Sequence, residues 1–354
     1  MSVTSDQIRP DRTIARNSSL ELLRIVGMLA IVASHFSVHG GFNFPTNSIT
    51  ANRLWIQLIR GGGVGNGIFV MLSGYFLINS HEIKFRKLFN LWTRIFFWSI
   101  VVYCAFLISG AKTLHIKDAV KAFLPITRQQ WWFVTTYFVV YLIHPYVNKL
   151  LHSFTREEYR KFLLSIMLYW CIVPTFLLSD FGANRTINFL CLYSLAGYIR
   201  LFPDDFYNRA TGRRYILWGL GFFGVNFLLI FALDIVGLWI PIVGRYAGYV
   251  TGMMRPFTIL SASCLLLGFC RINITQNRII NTIASATFGV YLIHEHALVR
   301  HLLWHEVFRN ASFSQSPYLI PYSLAAIVIV FFICTVIELL RSKLFKMLSG
   351  GKLS

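Results

Sequence analysis

Apolar runs long enough to sit in lipid recur along the whole of this chain, and that recurrence leaves few folds open. Ten can be drawn, at about 18–38, 61–79, 95–110, 131–148, 162–178, 187–199, 215–234, 256–270, 281–299 and 317–340. Roughly 20 apolar residues in a helix cross the hydrocarbon core. Backbone amides find no water there, so a helix that satisfies its own hydrogen bonds is the form such runs take. Charged residues are 13% of the chain, about half the share of a soluble domain. Aromatics are 16%, which suits lipid-facing surface and interfacial belts. The expected fold is an all-α integral membrane protein with about ten transmembrane helices in one bundle. Residues 1–17 read as a cytoplasmic tail, 18–340 as the transmembrane domain and 341–354 as a basic cytoplasmic tail.

The basic excess agrees. The net charge is +19, but the cations lie between the apolar runs rather than in one patch, which argues against a nucleic-acid partner. With the N-terminus inside, the inner segments hold 21 Lys and Arg and the outer segments 11. That bias puts both termini in the cytoplasm, and the expected location is the cytoplasmic (inner) membrane. The 110–130 stretch runs against the trend with Lys112, Lys117, Lys121 and Arg128; two missed spans, or a basic outer loop facing an anionic glycan, each account for it. Gly237, Pro241, Gly244, Gly248 and Gly252 make 235–255 an expected irregular or re-entrant loop. The six cysteines lie in or beside apolar runs with no CxxC pair, so they read as small buried hydrophobes.

The first run carries chemistry. It holds Glu21, Arg24 and His35, and charged groups within a span are costly enough to suggest a site. His35 follows Arg24 by eleven residues. In a helix that places the two within about 20° of one face and roughly 16 Å apart. Glu21 is three residues before Arg24, within side-chain reach. The plainer alternative is that Arg24 snorkels inward and pairs with Glu21, and that His35 is a hydrogen-bonded core residue.

Other candidates follow along the chain. Ser73 lies in Gly65–Tyr75, outside any GxSxG elbow, and reads as a packing serine before a nucleophile. Lys84, Arg86, Lys87 and Arg94 form an inner basic stretch, either plain inside-positive charge or a phosphate site completed by Arg24. Trp132 reads as an interfacial belt residue or a substrate platform, and His144-Pro145 as a helix end. In Tyr291-Leu292-Ile293-His294-Glu295-His296, the two histidines are two residues apart and face different ways, so they do not pair on a metal; no metal site is expected. Glu295, read as the only carboxylate deep in the outer half, either orients His35 or the acceptor together with His294, or pairs locally with Arg300. Glu338 and Arg341, at i and i+3, read as a structural pair.

At these residues the chain resembles acyltransferase family 3, multi-span bacterial proteins that O-acylate surface glycans. The likeness covers about 18–340. Its most specific part is Glu21-Leu22-Leu23-Arg24 followed by His35. Phe69–Leu77, Trp132–Asn148 and Tyr291-Leu292-Ile293-His294 resemble further family segments. Glu21 stands where the family usually has Asp. Leu91 stands where the family often has a second arginine, so only Arg94 carries over, with Arg86 or Lys87 as the candidate substitute. The resemblance implies ten spans, acyl-CoA (acetyl-CoA by resemblance) arriving from the cytoplasm, and a polysaccharide or lipid-linked glycan acceptor outside. The expected site then has His35 and Glu21 as catalytic groups, and Arg24, Arg94, Arg86 and Lys87 on the cofactor. Ser73, Trp132, Tyr291, His294 and Glu295 serve substrate or positioning. Neutral His35 would take the acceptor hydroxyl proton as the thioester is attacked; an acyl-histidine intermediate stays open. A transporter or glycan flippase using Glu21, Arg24 and His35 as a relay is the alternative class.

Overall fold

The computed structural model describes residues 17–45, 48–178, 182 and 184–348. It is 79% helical, with no strand among the described residues. Ten helices of twelve residues or more appear among those residues, one over each apolar run. They are α1 (Ser18–His39), α2 (Gly62–Leu77), α3 (Phe85–Ile108), α4 (Trp132–Ser153) and α5 (Arg156–Met167). Then come α6 (Arg185–Leu201), α7 (Gly212–Trp239), α8 (Pro256–Arg271), α9 (Arg278–His294) and α10 (Leu319–Leu348). A π-helical turn, Leu168–Ile172, carries α5 on into Val173–Leu177.

Six segments are long and apolar enough to cross a bilayer by themselves: Ser18–His39, Phe85–Ile108, Arg156–Leu177, Gly212–Trp239, Pro241–Arg271 and Leu319–Leu348. The chain is a membrane protein. α2, α6 and α9, with 16 or 17 residues, rise about 24–26 Å, less than the hydrocarbon core.

Several boundaries differ from the sequence reading. α3 starts at Phe85, so Arg86 and Lys87 lie on the helix and not in a loop before it, and Arg94 falls in its third turn. α4 does not end at His144-Pro145; it runs through Pro145 to Ser153. Proline offers no N–H to the carbonyl four residues back, here that of Tyr141. His144 Nδ1 sits 2.6 Å from that oxygen and supplies the missing donor. α7 extends to Trp239, and Pro241–Gly244 and Ala247–Thr251 are short helical turns within the stretch expected to be irregular. The 110–130 stretch holds one helix, Ile116–Phe123, of 8 residues, too short for the two missed spans considered above. The ninth run breaks: α9 stops at His294, Glu295 takes its C-cap, and His296 accepts from Leu298 N–H to start Ala297–His301. α10 continues through Arg341 to Leu348. The N-terminal tail, apart from Asn17, and the last six residues lie outside the described residues.

α1 is the hub, packed on α2, α8, α9 and α10, while α2 also meets α6 and α8. Small residues allow this closeness. A Cβ on Gly65 would lie 2.7 Å from the Gly27 carbonyl oxygen of α1, and one on Gly74 2.6 Å from the Tyr193 carbonyl oxygen of α6. Polar ties set the register. Ser19 Oγ donates to Ile272 O, and Ser18 Oγ to Asn281 Oδ1, joining the start of α1 to the start of α9. Asn148 Nδ2 donates to Leu77 O and Ser80 O, at and just past the end of α2, and its Oδ1 accepts from Tyr193. α7 leaves long apolar side chains such as Leu217 and Trp239 exposed on its outer surface, as lipid contact requires.

Because the atoms facing Gly74 are backbone, Gly74→Ala should destabilise the bundle by about 1–3 kcal/mol. The matched control is Gly221→Ala, whose added Cβ meets nothing within 4 Å. A thermal unfolding midpoint in detergent that falls for the first and holds for the second is the expected result; equal midpoints would contradict the packing argument.

Candidate active site

α1 carries both ends of the candidate site. Asn17 Oδ1 accepts from the N–H groups of Ser19 and Leu20, which caps the helix. From there it runs unbroken to His39, so Arg24 and His35 lie roughly 16 Å apart on nearly one face. At the N-terminal end of α1, Arg24 Nη1 donates to Glu21 Oε2 at 2.8 Å, the local pair that was one of the two readings of these residues. Glu21 is 14 residues from His35, roughly 21 Å of helix, so the structure does not bring it to the imidazole.

At the C-terminal end of α1, two helix termini meet. α9 ends beside the last turns of α1, and its break at Glu295 turns that carboxylate inward. His294 Nδ1 lies 2.5 Å from Val290 O. A carbonyl only accepts, so Nδ1 carries the hydrogen and Nε2 of a neutral His294 holds a lone pair. That Nε2 is 2.9 Å from His35 Nδ1, which must therefore be the donor. Glu295 Oε2 lies 3.2 Å from the same Nδ1. Two acceptors on Nδ1 place the hydrogen of neutral His35 there and leave its Nε2 bare. Glu295 Oε1 accepts from Arg300 Nη1 at 2.8 Å. The two roles considered for Glu295 thus coexist, one on each oxygen.

His39 is the residue the sequence reading missed. Its Nε2 lies 3.5 Å from Glu295 Oε2, and its ring centroid 5.5 Å from that of His35. The signal was present: His35 and His39 are four residues apart, hence on one helical face. Nitrogens of these two histidines and an oxygen of Glu295 all fall within 4.8 Å of one another, a donor set able to hold a metal ion.

A row of aromatic rings leads away from His35. Tyr291 stands 6.1 Å from His35 and 5.9 Å from Phe133, ring to ring. Phe189 lies against Phe133 at 5.5 Å and against Tyr137 at 6.3 Å, and Tyr137 against Tyr141 at 6.2 Å. Phe133, Tyr137 and Tyr141 are spaced by four on α4, so they form one stripe.

The other predicted residues lie apart. Arg94 Nε is 3.5 Å from Glu338 Oε1. Glu338 also accepts from Arg341 at 2.6 and 2.9 Å and from Trp98 Nε1 at 2.8 Å. Arg24 and Arg94 therefore pair with different carboxylates on different helices. Arg86 and Lys87 are exposed in the first turn of α3. Ser73 Oγ donates to Phe69 O at 2.8 Å, so its hydroxyl proton is held within its own helix. Trp132 has the Arg185 guanidinium 5.2 Å from its ring and borders a cleft with Gln129, Thr135 and Asn184. His296 bonds Gln130 at 2.8 Å, away from His294. Glu295 is not the only buried carboxylate at the outer ends: Asp234, 1% exposed, accepts from Arg53 at 2.6 Å and from Gln57. The sequence reading missed it because the seventh run was drawn to end on it.

A family model described as an acyltransferase domain matches residues 17–339. The chain belongs to acyltransferase family 3. It is therefore a membrane acyltransferase. No curated protein and no solved structure matches the chain. The matched range begins at the cap of α1 and ends one residue after Glu338, so it covers His35, His39, Glu295, Glu21 and Arg24.

The hydrogen-bond pattern makes a direct expectation. In protein labelled with 15N-histidine, the neutral forms of His35 and His294 should both show a protonated Nδ1 and a bare Nε2. Finding His35 protonated at Nε2 instead would contradict the assignment.

Proposed function

We propose that this protein is a membrane O-acyltransferase. It takes an acyl group, acetyl by family resemblance, from cytoplasmic acyl-CoA and passes it to a hydroxyl of a cell-surface or lipid-linked polysaccharide. Ten spans, both termini in the cytoplasm and an inner-membrane location complete the reading. One observation carries it: His35 offers a bare Nε2 while its Nδ1–H faces Glu295 Oε2 at 3.2 Å and His294 Nε2 at 2.9 Å. That is the arrangement a general base needs, with one nitrogen free and the other oriented by a carboxylate.

The chemistry follows from the atoms. His35 Nε2 accepts the proton of the acceptor hydroxyl as its oxygen attacks the thioester carbonyl. The imidazolium formed is stabilised by Glu295, which Arg300 holds in place. Collapse of the tetrahedral intermediate breaks the carbon–sulfur bond, and the Nε2 proton goes to the departing CoA thiolate. At the inner end Arg24 supplies a cation for the donor's phosphates, and the ring stripe from Tyr141 to Tyr291 gives the pantetheine chain an apolar wall. Arg94, with Arg341 beside it, is a second cationic group at the inner ends of α3 and α10; its pairing with Glu338 makes its phosphate role secondary to that of Arg24.

Turnover is measured as CoA release by purified protein with acetyl-CoA and glycan acceptors. His35→Ala should lower it at least about 10³-fold with folding and insertion unchanged. Glu295→Gln should cost about 10²–10³ in kcat, since it keeps the shape and removes the charge that stabilises the imidazolium. Arg24→Ala should raise KM for acetyl-CoA about tenfold or more, with a smaller effect on kcat. Near-wild-type turnover in His35→Ala would remove it from the chemistry. No CoA release with any acceptor, alongside substrate movement across liposomes, would overturn the enzyme reading. The acceptor itself would show as an ester lost from the surface glycan when the gene is deleted.

A further inference from the structure

We infer that His35, His39 and Glu295 form a binding site for a zinc-class divalent cation at the outer end of α1, and that occupation of this site shuts the acyl transfer off. The binding does not depend on the reaction. The inhibition rests on the base role proposed above for His35.

The donor set is of the right kind. Two histidines four apart on one helix, with a carboxylate from a second helix, give a His₂Glu set that leaves a fourth position open. Nitrogen donors favour zinc over magnesium or calcium, which take oxygen ligands. The spacing also fits. Tetrahedral zinc with bonds of about 2.0–2.2 Å places neighbouring ligand atoms roughly 3.3–3.5 Å apart. Glu295 Oε2 is 3.2 Å from His35 Nδ1 and 3.5 Å from His39 Nε2.

A second observation points to a ligand. Glu295 Oε2 is buried and makes no well-formed hydrogen bond, although Oε1 of the same carboxylate is satisfied by Arg300. A buried carboxylate oxygen without a proper donor is costly, and a cation between the three groups would complete it. Arg300 would act as the outer partner that fixes the ligating carboxylate. His294 Nε2, 2.9 Å from His35 Nδ1, is the next available donor. His39 lies in the last turn of α1 with its side chain 24% exposed, which gives an ion a way in.

The consequence for His35 is direct. To ligate through Nδ1 the neutral ring changes tautomer, so its hydrogen moves to Nε2 and no net proton is released. Glu295 would then neutralise the metal rather than the imidazolium, and Nε2, now carrying the hydrogen, has no lone pair left to act as a base.

The test uses full-length protein in detergent, in a His301→Gln/His305→Gln background. Those two exposed histidines stack at 5.0 Å beside Glu306 and would bind metal on their own. Zinc chloride is titrated by calorimetry, and cobalt(II) by its visible absorption. The expected result is one ion per chain, binding weakened at least tenfold by His39→Gln and recovered by His39→Cys, with all three proteins sharing one unfolding midpoint. No saturable binding, or equal binding with His39→Gln, would overturn the site. In the same background, zinc at saturation should reduce acyl transfer at least tenfold, reversed by EDTA. Binding that depends on His39 but leaves turnover intact would overturn the inhibition and the base role of His35 while the site stands. Should no acceptor support turnover at all, the binding measurements still decide the site.

Discussion

A carboxylate with little water around it organises the bundle at the C-terminal end of α1. Glu295 has 9% of its side chain exposed, and an ionised group so placed is tolerated only among partners. Arg300 takes one oxygen, and His35 and His39 crowd the other. That contact draws the end of α9 onto the last turns of α1 and fixes which nitrogen of His35 bears its hydrogen. The same charge is then available to stabilise an imidazolium, so one interaction serves both assembly and proton transfer.

Its counterpart at the N-terminal end of α1 is simpler. Glu21 and Arg24 answer each other within one turn of α1, and neither needs a second helix to do so. What lies between the ends is a matter of close packing. Glycines on α1 and α2 let the central helices approach, and serine and asparagine side chains bind loops to helix starts. The depth of Arg24 relative to His35 is therefore set by one rigid helix. The same economy explains why α4 survives a proline: His144 fills the carbonyl that Pro145 leaves open, and the ring stripe from Phe133 to Tyr141 stays continuous.

Much of the architecture was legible in the residues. Long apolar runs demand helices whatever their neighbours, and each of the ten runs holds one. The pairs Glu21–Arg24 and Glu338–Arg341 were also readable, because three-residue spacing guarantees reach. Boundaries were less so. α3 begins ten residues early and α7 ends five late, since polar residues at a helix end are equally at home in a loop. The break after His294 was missed because hydropathy continues across it to Val299. Glu21 was given a catalytic place by resemblance, and the carboxylate the structure sets beside the imidazole is Glu295.

The chain alone determined that it lives in a membrane as helices, that α1 carries a guanidinium and an imidazole on one face, and that His35 and His39 share a side. These are near-neighbour properties, governed by local apolarity and the 3.6-residue turn. Only the tertiary structure decided that His35 meets His294, 259 residues away, that Glu295 turns inward to join them, and that Arg94 answers Glu338 instead of Arg24. Contacts at such separations depend on how helices pack and where they break, and no local pattern encodes that.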